Sequence, residues 1–146
     1  MGYAERLTWT QLVSSLIATG VYFALVIPQL SAAPASEIDW GWPMLWCMLG
    51  GIAISIGGSI IWGIVAGMRD PDQEHRLDQR DREIERFGDR IGQAFLVIGG
   101  VAALVLSALR ADWFWIGHAV FIGFFLSAVV GGIARLIGHR RGFQEW

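Results

Sequence analysis

The sequence predicts an all-α, polytopic membrane protein: four transmembrane helices in a compact bundle, the third extended into the cytosol by a charged amphipathic helix. Three observations lead there. The 146 residues are 54% hydrophobic, with eight Trp and nineteen Gly, which suits one compact unit. The charge comprises eleven Arg, no Lys and thirteen acids, and none of it falls within 7–27, 43–68, 91–109 or 113–134. A charge at the centre of a spanning helix costs about 2.5–3.5 kcal/mol, and about 20 apolar residues cross a bilayer, so these stretches read as spans of about 7–27, 43–68, 91–109 and 113–136. Finally, ten Arg residues lie on one side of those spans: Arg6, the six between 69 and 90, Arg135, Arg140 and Arg141; Arg110 alone lies on the other. Basic residues mark the cytoplasmic side. Both termini and the 69–90 segment are therefore assigned to the cytoplasm, and 28–42 and the turn Arg110-Ala111-Asp112 to the outside.

The first span ends, on this reading, at Pro28. The stretch Ser31-Ala32-Ala33-Pro34-Ala35 contains the Ala-x-Ala pattern of a signal-peptidase site. The apolar run is nevertheless longer than the ~7–15 residues of a signal sequence, and the lead sets Glu5 against Arg6, so the span is read as retained. Gln11, Ser15, Thr19 and Tyr22 share one helical face. Such a stripe lines a solute path or supplies interhelical hydrogen bonds, and the second use is the commoner. Beyond the loop, Trp40, Trp42 and Trp46 match Trp113 and Trp115 in depth and predict an aromatic belt at the outer interface.

The second span carries the clearest packing signal. Gly51, Ser55, Ser59, Gly63 and Gly67 recur at every fourth position, a ridge along which backbones approach closely. Gly88, Gly92 and Gly100 line the third helix, and Gly123, Ser127 and Gly131 the fourth. Such faces close one bundle or leave a ridge over for a homodimer. A four-residue ladder drifts by about 40° per step, so five positions cannot all meet one straight partner. Cys47 is the lone cysteine, which excludes an internal disulfide and a thiolate metal cluster.

In the 69–90 segment, Leu77, Ile84, Phe87 and Ile91 form a narrow apolar seam that runs into the third span. Asp78, Asp81, Glu85 and Asp89 make an acidic row beside a basic row of Arg82, Arg86 and Arg90. Asp78–Arg82, Arg82–Glu85 and Arg86–Asp89 stand at pairing distance. A metal site on Asp78, Asp81, Glu85 and His75 is opposed by the adjoining Arg residues. A lipid-binding patch is opposed by the segment's net charge of −2, from eight acids and six Arg. What remains is a solvated, ion-paired helix that doubles as a docking surface, with Asp78, Arg80, Asp81, Arg82, Glu85 and Arg86 as the partner-binding residues. His118 lies about one turn below the outer interface, where proton relay competes with simple hydrogen bonding. No span holds a carboxylate to share the proton, which favours hydrogen bonding. No nucleophile–base pair can be named, so no catalytic, metal or cofactor site is expected, and no direct nucleic-acid binding.

Glu5-Arg6 with Trp9, Gly20-Val21-Tyr22-Phe23, Asp81-Arg82-Glu83-Ile84 with Gly88-Asp89-Arg90 and Gly92, Phe114-Trp115-Ile116, Phe125-Leu126-Ser127-Ala128 and Arg140-Arg141-Gly142-Phe143 resemble an uncharacterised family of small bacterial four-span membrane proteins. The likeness extends over nearly the whole chain, and the charged core is its most specific part. It departs at Asp78-Gln79-Arg80, where Asp-Glu-Arg is commoner, and at His118, where Asn is expected. Members are often encoded beside a helix-turn-helix regulator. The resemblance thus implies a bacterial cytoplasmic membrane protein that works with a cytosolic regulatory protein, and it implies no reaction. The expected function is an interaction or regulatory module docking that partner through the 69–90 helix. The alternative is a subunit of a small dimeric transporter or channel.

Overall fold

Hydrocarbon offers a peptide backbone no water to bond, so each span must close its own N–H and C=O groups as a helix. A computed structural model describes residues 3–69 and 79–141. Four helices account for most of them: α1 (Tyr3–Ala32), α2 (Gly41–Arg69), α3 (Gln79–Ala108) and α4 (Trp113–Arg141), with a 3-10 turn at Ala35–Glu37 between the first two. Each has 29 or 30 residues, about 44 Å of helix at 1.5 Å per residue. All four are long and apolar enough to cross a membrane, which makes this a multi-pass membrane chain by fold.

The first span does not stop at Pro28; α1 continues one turn further, to Ala32. Proline lacks an N–H and so frees the carbonyl four residues back, which here belongs to Ala24 on an exposed face near the helix end. The last turn is closed by Ala33 N–H on the Gln29 carbonyl at 3.0 Å and by the Ser31 hydroxyl on the Ile27 carbonyl at 3.2 Å.

The short connection from α3 to α4 is built from two caps. Arg110 takes φ 55°, the left-handed conformation. Its N–H reaches the Ser107 carbonyl at 3.0 Å, and the Ala111 N–H reaches Leu106 at 2.9 Å, so two carbonyls left over at the end of α3 are satisfied. Asp112 then opens α4, its Oδ1 accepting the Phe114 N–H at 2.9 Å. Four residues, 109–112, suffice to reverse the chain.

The helices pack compactly in the order α2, α1, α4, α3, with each neighbour antiparallel to the next. The α3–α4 contact is the closest. A Cβ built on Gly99 would lie 2.7 Å from the Gly123 Cα, one on Gly92 3.0 Å from the Ser127 carbonyl oxygen, and one on Gly88 2.8 Å from the Gly131 oxygen. Gly99, and not Gly100, belongs to this seam, and the space beside Gly100 is open. Seven residues keep helical phase to within about 20°, whereas eight turn it by about 80°. Leu12 of α1 packs on Gly132 of α4. Tyr22, Val26, Met44, Phe114 and Phe121 form the buried cluster toward the loop end.

On α2 the close approaches to α1 are Gly51, whose added Cβ would lie 2.9 Å from the Ala18 Cβ, and Gly58, which faces Thr10. Of the expected ridge, Ser59 bonds back to the Ser55 carbonyl at 2.9 Å, Ser55 turns toward a cleft, and Gly63 and Gly67 are partly buried. Gly51 and Gly58, seven residues apart, both face α1.

Adding one methyl group at Gly99 forces the α3 and α4 backbones apart, at a cost of about 1–3 kcal/mol for an overpacked contact. Gly100→Ala meets nothing and is neutral or slightly stabilising through helix propensity. Denaturant titration of Gly99→Ala and Gly100→Ala in detergent measures the difference.

Candidate functional site

Polar side chains inside a membrane bundle are costly unless bonded to one another, so the described polar groups divide by how they are satisfied. The buried centre is Tyr22 of α1 and His118 of α4, with Tyr22 at 0% and His118 at 6% exposure. Tyr22 Oη and His118 Nε2 are 2.6 Å apart, and His118 Nδ1 is 2.7 Å from the Phe114 carbonyl. A carbonyl only accepts, so Nδ1 carries a proton; in the neutral ring Nε2 then accepts from the tyrosine O–H. Phe114 stacks on the imidazole at 3.9 Å, and Trp40 lies 5.5 Å from it over Gly117, whose missing side chain leaves the indole room. Trp40 therefore closes this cluster and is partly buried. Trp42, Trp46, Trp113 and Trp115 are exposed, as anchoring rings must be.

The second set lies at the opposite end. There α3 continues as one helix from its apolar stretch through the charged residues 79–90, and α4 runs alongside it to Arg141. Ile84, 1% exposed, packs against Gly138, and the stem of Arg135 fills the space beside Gly88. Arg135 joins three helices. Its Nη1 donates to Gln11 Oε1 on α1 at 3.0 Å and its Nη2 to Asp89 Oδ1 on α3 at 2.9 Å. His139 Nδ1 stands 3.6 Å from Asp81 Oδ1, an ion pair whenever the imidazole is protonated, and Arg140 Nε stands 3.8 Å from Glu5 Oε1. Arg6 lies over the Trp62 ring at 5.0 Å, while Trp62 Nε1–H donates to Thr10 Oγ1 at 3.1 Å. With Asp89 52% exposed, the Arg135 pair is worth under about 1 kcal/mol after solvent screening. Its consequence is register more than stability.

Of the expected docking residues, Asp78 lies outside the described ones. Arg80, Arg82, Glu85 and Arg86 are exposed, and Asp81 is partly buried toward α4. The spacing suggests Arg82–Glu85 and Arg86–Asp89 pairs, but neither is made. Asp89 goes instead to Arg135, whose stem is already ordered by packing, so the bond fixes less side-chain freedom there than it would between two exposed neighbours. From sequence alone Arg135 counts only among the cytoplasmic basic residues, and Tyr22 and His118 have no assigned partner. Depth was the available signal: residues 89 and 135 both border their apolar stretches, and residues 22 and 118 lie equally far from the opposite ends.

Gln11, Ser15 and Thr19 line a cleft of about 330 Å³ among α1, α2 and α4, together with Cys47, Ser55, Phe121 and Phe124, and Arg135 stands at one end of it. Tyr22, the fourth residue of that stripe, is engaged by His118 instead. The Ser15 hydroxyl is returned to the Leu12 carbonyl at 2.9 Å. Among the described residues no group of three or more His, Cys, Asp or Glu could hold a metal ion.

Tyr22→Phe leaves His118 Nε2 buried without a donor and lowers stability by about 1 kcal/mol. His118→Phe costs less in the Tyr22→Phe background than alone, and a double-mutant cycle read by unfolding in detergent gives the coupling. Comparison with family models, with curated proteins and with solved structures gives no match, so the resemblance drawn from the motifs rests on those motifs alone.

Proposed function

We propose that this chain is a non-enzymatic interaction module of a bacterial cytoplasmic membrane, with both termini inside, that docks a cytosolic regulatory protein through the charged part of α3. The observation that carries the reading is the continuity of that part with the bundle. Residues 79–90 continue the apolar helix without a break and are tied to α4 by Asp89–Arg135 and Asp81–His139. A surface held in place before a partner arrives spares the ordering entropy that a free charged loop would lose on binding. The excess of Arg on this side supports its cytosolic placement.

The cleft among α1, α2 and α4 favours a second reading, a subunit of a dimeric transporter or channel in which another copy covers the open side. Its lining is polar along α1, yet its one charged side chain, Arg135, is already bonded to Gln11 and Asp89. That leaves the cleft without a free charge to carry ions or protons.

Arg82→Glu combined with Arg86→Glu tests the first reading, because both side chains are exposed and form no ion pair among the described residues. Expected is loss of the co-purifying cytosolic partner with an unchanged thermal midpoint. Unchanged co-purification together with solute flux in liposomes selects transport. A reporter fused after residue 146 that proves active outside the cell overturns the orientation on which docking depends.

A further inference from the structure

Packing sorts the charges of α3 by face. Asp81 and Asp89 are engaged by His139 and Arg135 of α4, and Ile84, Gly88 and Gly92 are buried on that same side. At about 100° per residue, Arg86 and Arg90 fall about 160° from Gly88 and Arg82 about 120° from it, with Glu83 beside Arg90 and Asp89 on the flank next to Arg82. All three are exposed, and none has an ion-pair partner within 4 Å among the described residues. Their Cα atoms follow one another at about 6 Å along the axis. The outward face of this stretch therefore carries three Arg against Glu83, a basic stripe on a helix whose other face is packed on α4.

We propose that Arg82, Arg86 and Arg90 dock an acidic helical segment of a cytosolic protein. This rests on the reading above, that residues 79–90 are a cytosolic docking surface, and it names the chemistry of what docks there. Carboxylates spaced three or four residues apart on a partner helix repeat at the same rise, and each can take a guanidinium in bidentate geometry. Lipid phosphates are the competing source of negative charge, and two features of the geometry oppose them. Helical side chains lean toward the helix N-terminus, which for α3 is the end pointing away from the bilayer. Arg82 also stands about 13 Å along the axis from Ile91, beyond a headgroup layer of about 5–8 Å, and Arg86 stands about 7.5 Å from it, at that layer's outer edge; Arg90, about 1.5 Å from Ile91, lies within the layer and meets headgroups as well. Exposed charge pairs of this kind set orientation and encounter rate more than affinity, so the contact weakens as salt rises.

The test is photo-cross-linking in cells with the full chain, placing p-benzoylphenylalanine at Glu83, which flanks the stripe and leaves its three Arg residues intact, and separately at Glu85 on the other flank. Expected is a Glu83 adduct whose partner peptide carries acids three or four residues apart. Its yield falls at least ten-fold in the Arg82→Glu/Arg90→Glu variant and returns when those acids are changed to Lys. That return also shows that the variant is folded. A Glu83 adduct to lipid, to residues 70–78 of this chain, or to a segment without acidic excess overturns the proposal, as does a yield that the variant leaves unchanged. An adduct from Glu85 alone overturns the stripe and leaves docking standing; no adduct from either position overturns both.

Discussion

The backbone contact between α3 and α4 fixes the rest of the arrangement. At Gly99 and Gly123 no side chain separates the two helices, and Gly92 on Ser127 and Gly88 on Gly131 extend that closeness over more than ten residues. In lipid, apolar side chains gain nothing by leaving the solvent, so helices associate through such van der Waals contact. Because α3 and α4 stay close to the end of their apolar stretches, they are still adjacent where the charges begin. Ile84 then meets Gly138, Arg135 reaches Asp89, and His139 reaches Asp81. Detached from α4, residues 79–90 would be a dozen residues of charged helix, a length that is marginal in water. The rod is thus held by the same seam that holds the spans.

The four spans were legible because the penalty on buried charge is large and local: it leaves four uncharged stretches that no other architecture explains. The seam was legible in part, since small residues announce a close approach but do not say which helix approaches. Gly99 and Gly100 look alike in sequence; helical phase from Gly92 separates them only once the partner's path is known. The same limit applied to α2, where a conspicuous ladder from Gly51 to Gly67 winds round the helix and Gly58, one residue off that ladder, meets Thr10. Pro28 misled for another reason. The rule that proline ends a helix assumes that the freed carbonyl has nowhere to go, and Ala24 lies on an exposed face near the helix end. Partners distant in sequence, Asp89 with Arg135 and Tyr22 with His118, leave no local signature beyond equal depth.

Hydrogen bonding and close packing divide the work along α1. Toward the loop, Tyr22 and His118 satisfy each other within an aromatic cluster, which joins α1 to α4 and leaves neither ring nitrogen free. Toward the charged end, Gln11 reaches Arg135 and Thr10 receives Trp62, so polar side chains again set which helix faces which. Between them lies the cleft, where α2 and α4 diverge on either side of α1. None of the residues in the most apolar stretch of α2 is buried, and its outward positions are filled by Ile52, Ile56, Ile60 and Ile64. Aliphatic side chains of that kind suit lipid and carry little that could tell one partner from another.

Net charge and presented charge are different quantities, and at the charged end of α3 they diverge. Residues 79–90 carry four Arg and four acids and sum to zero, which gives no preference for an anionic ligand if the segment is treated as a point. A helix with its side chains is about 10–12 Å across, while the Debye length at physiological salt is about 8 Å. A molecule resting on the outer face of α3 therefore meets Arg82, Arg86 and Arg90 directly, against the single acid Glu83, and meets Asp81 across a helix diameter. Asp89 is further neutralised by the Arg135 guanidinium that it touches. Discrimination at this surface depends on which groups α4 has already engaged, so the packing that holds the rod upright also determines the sign of the field it presents.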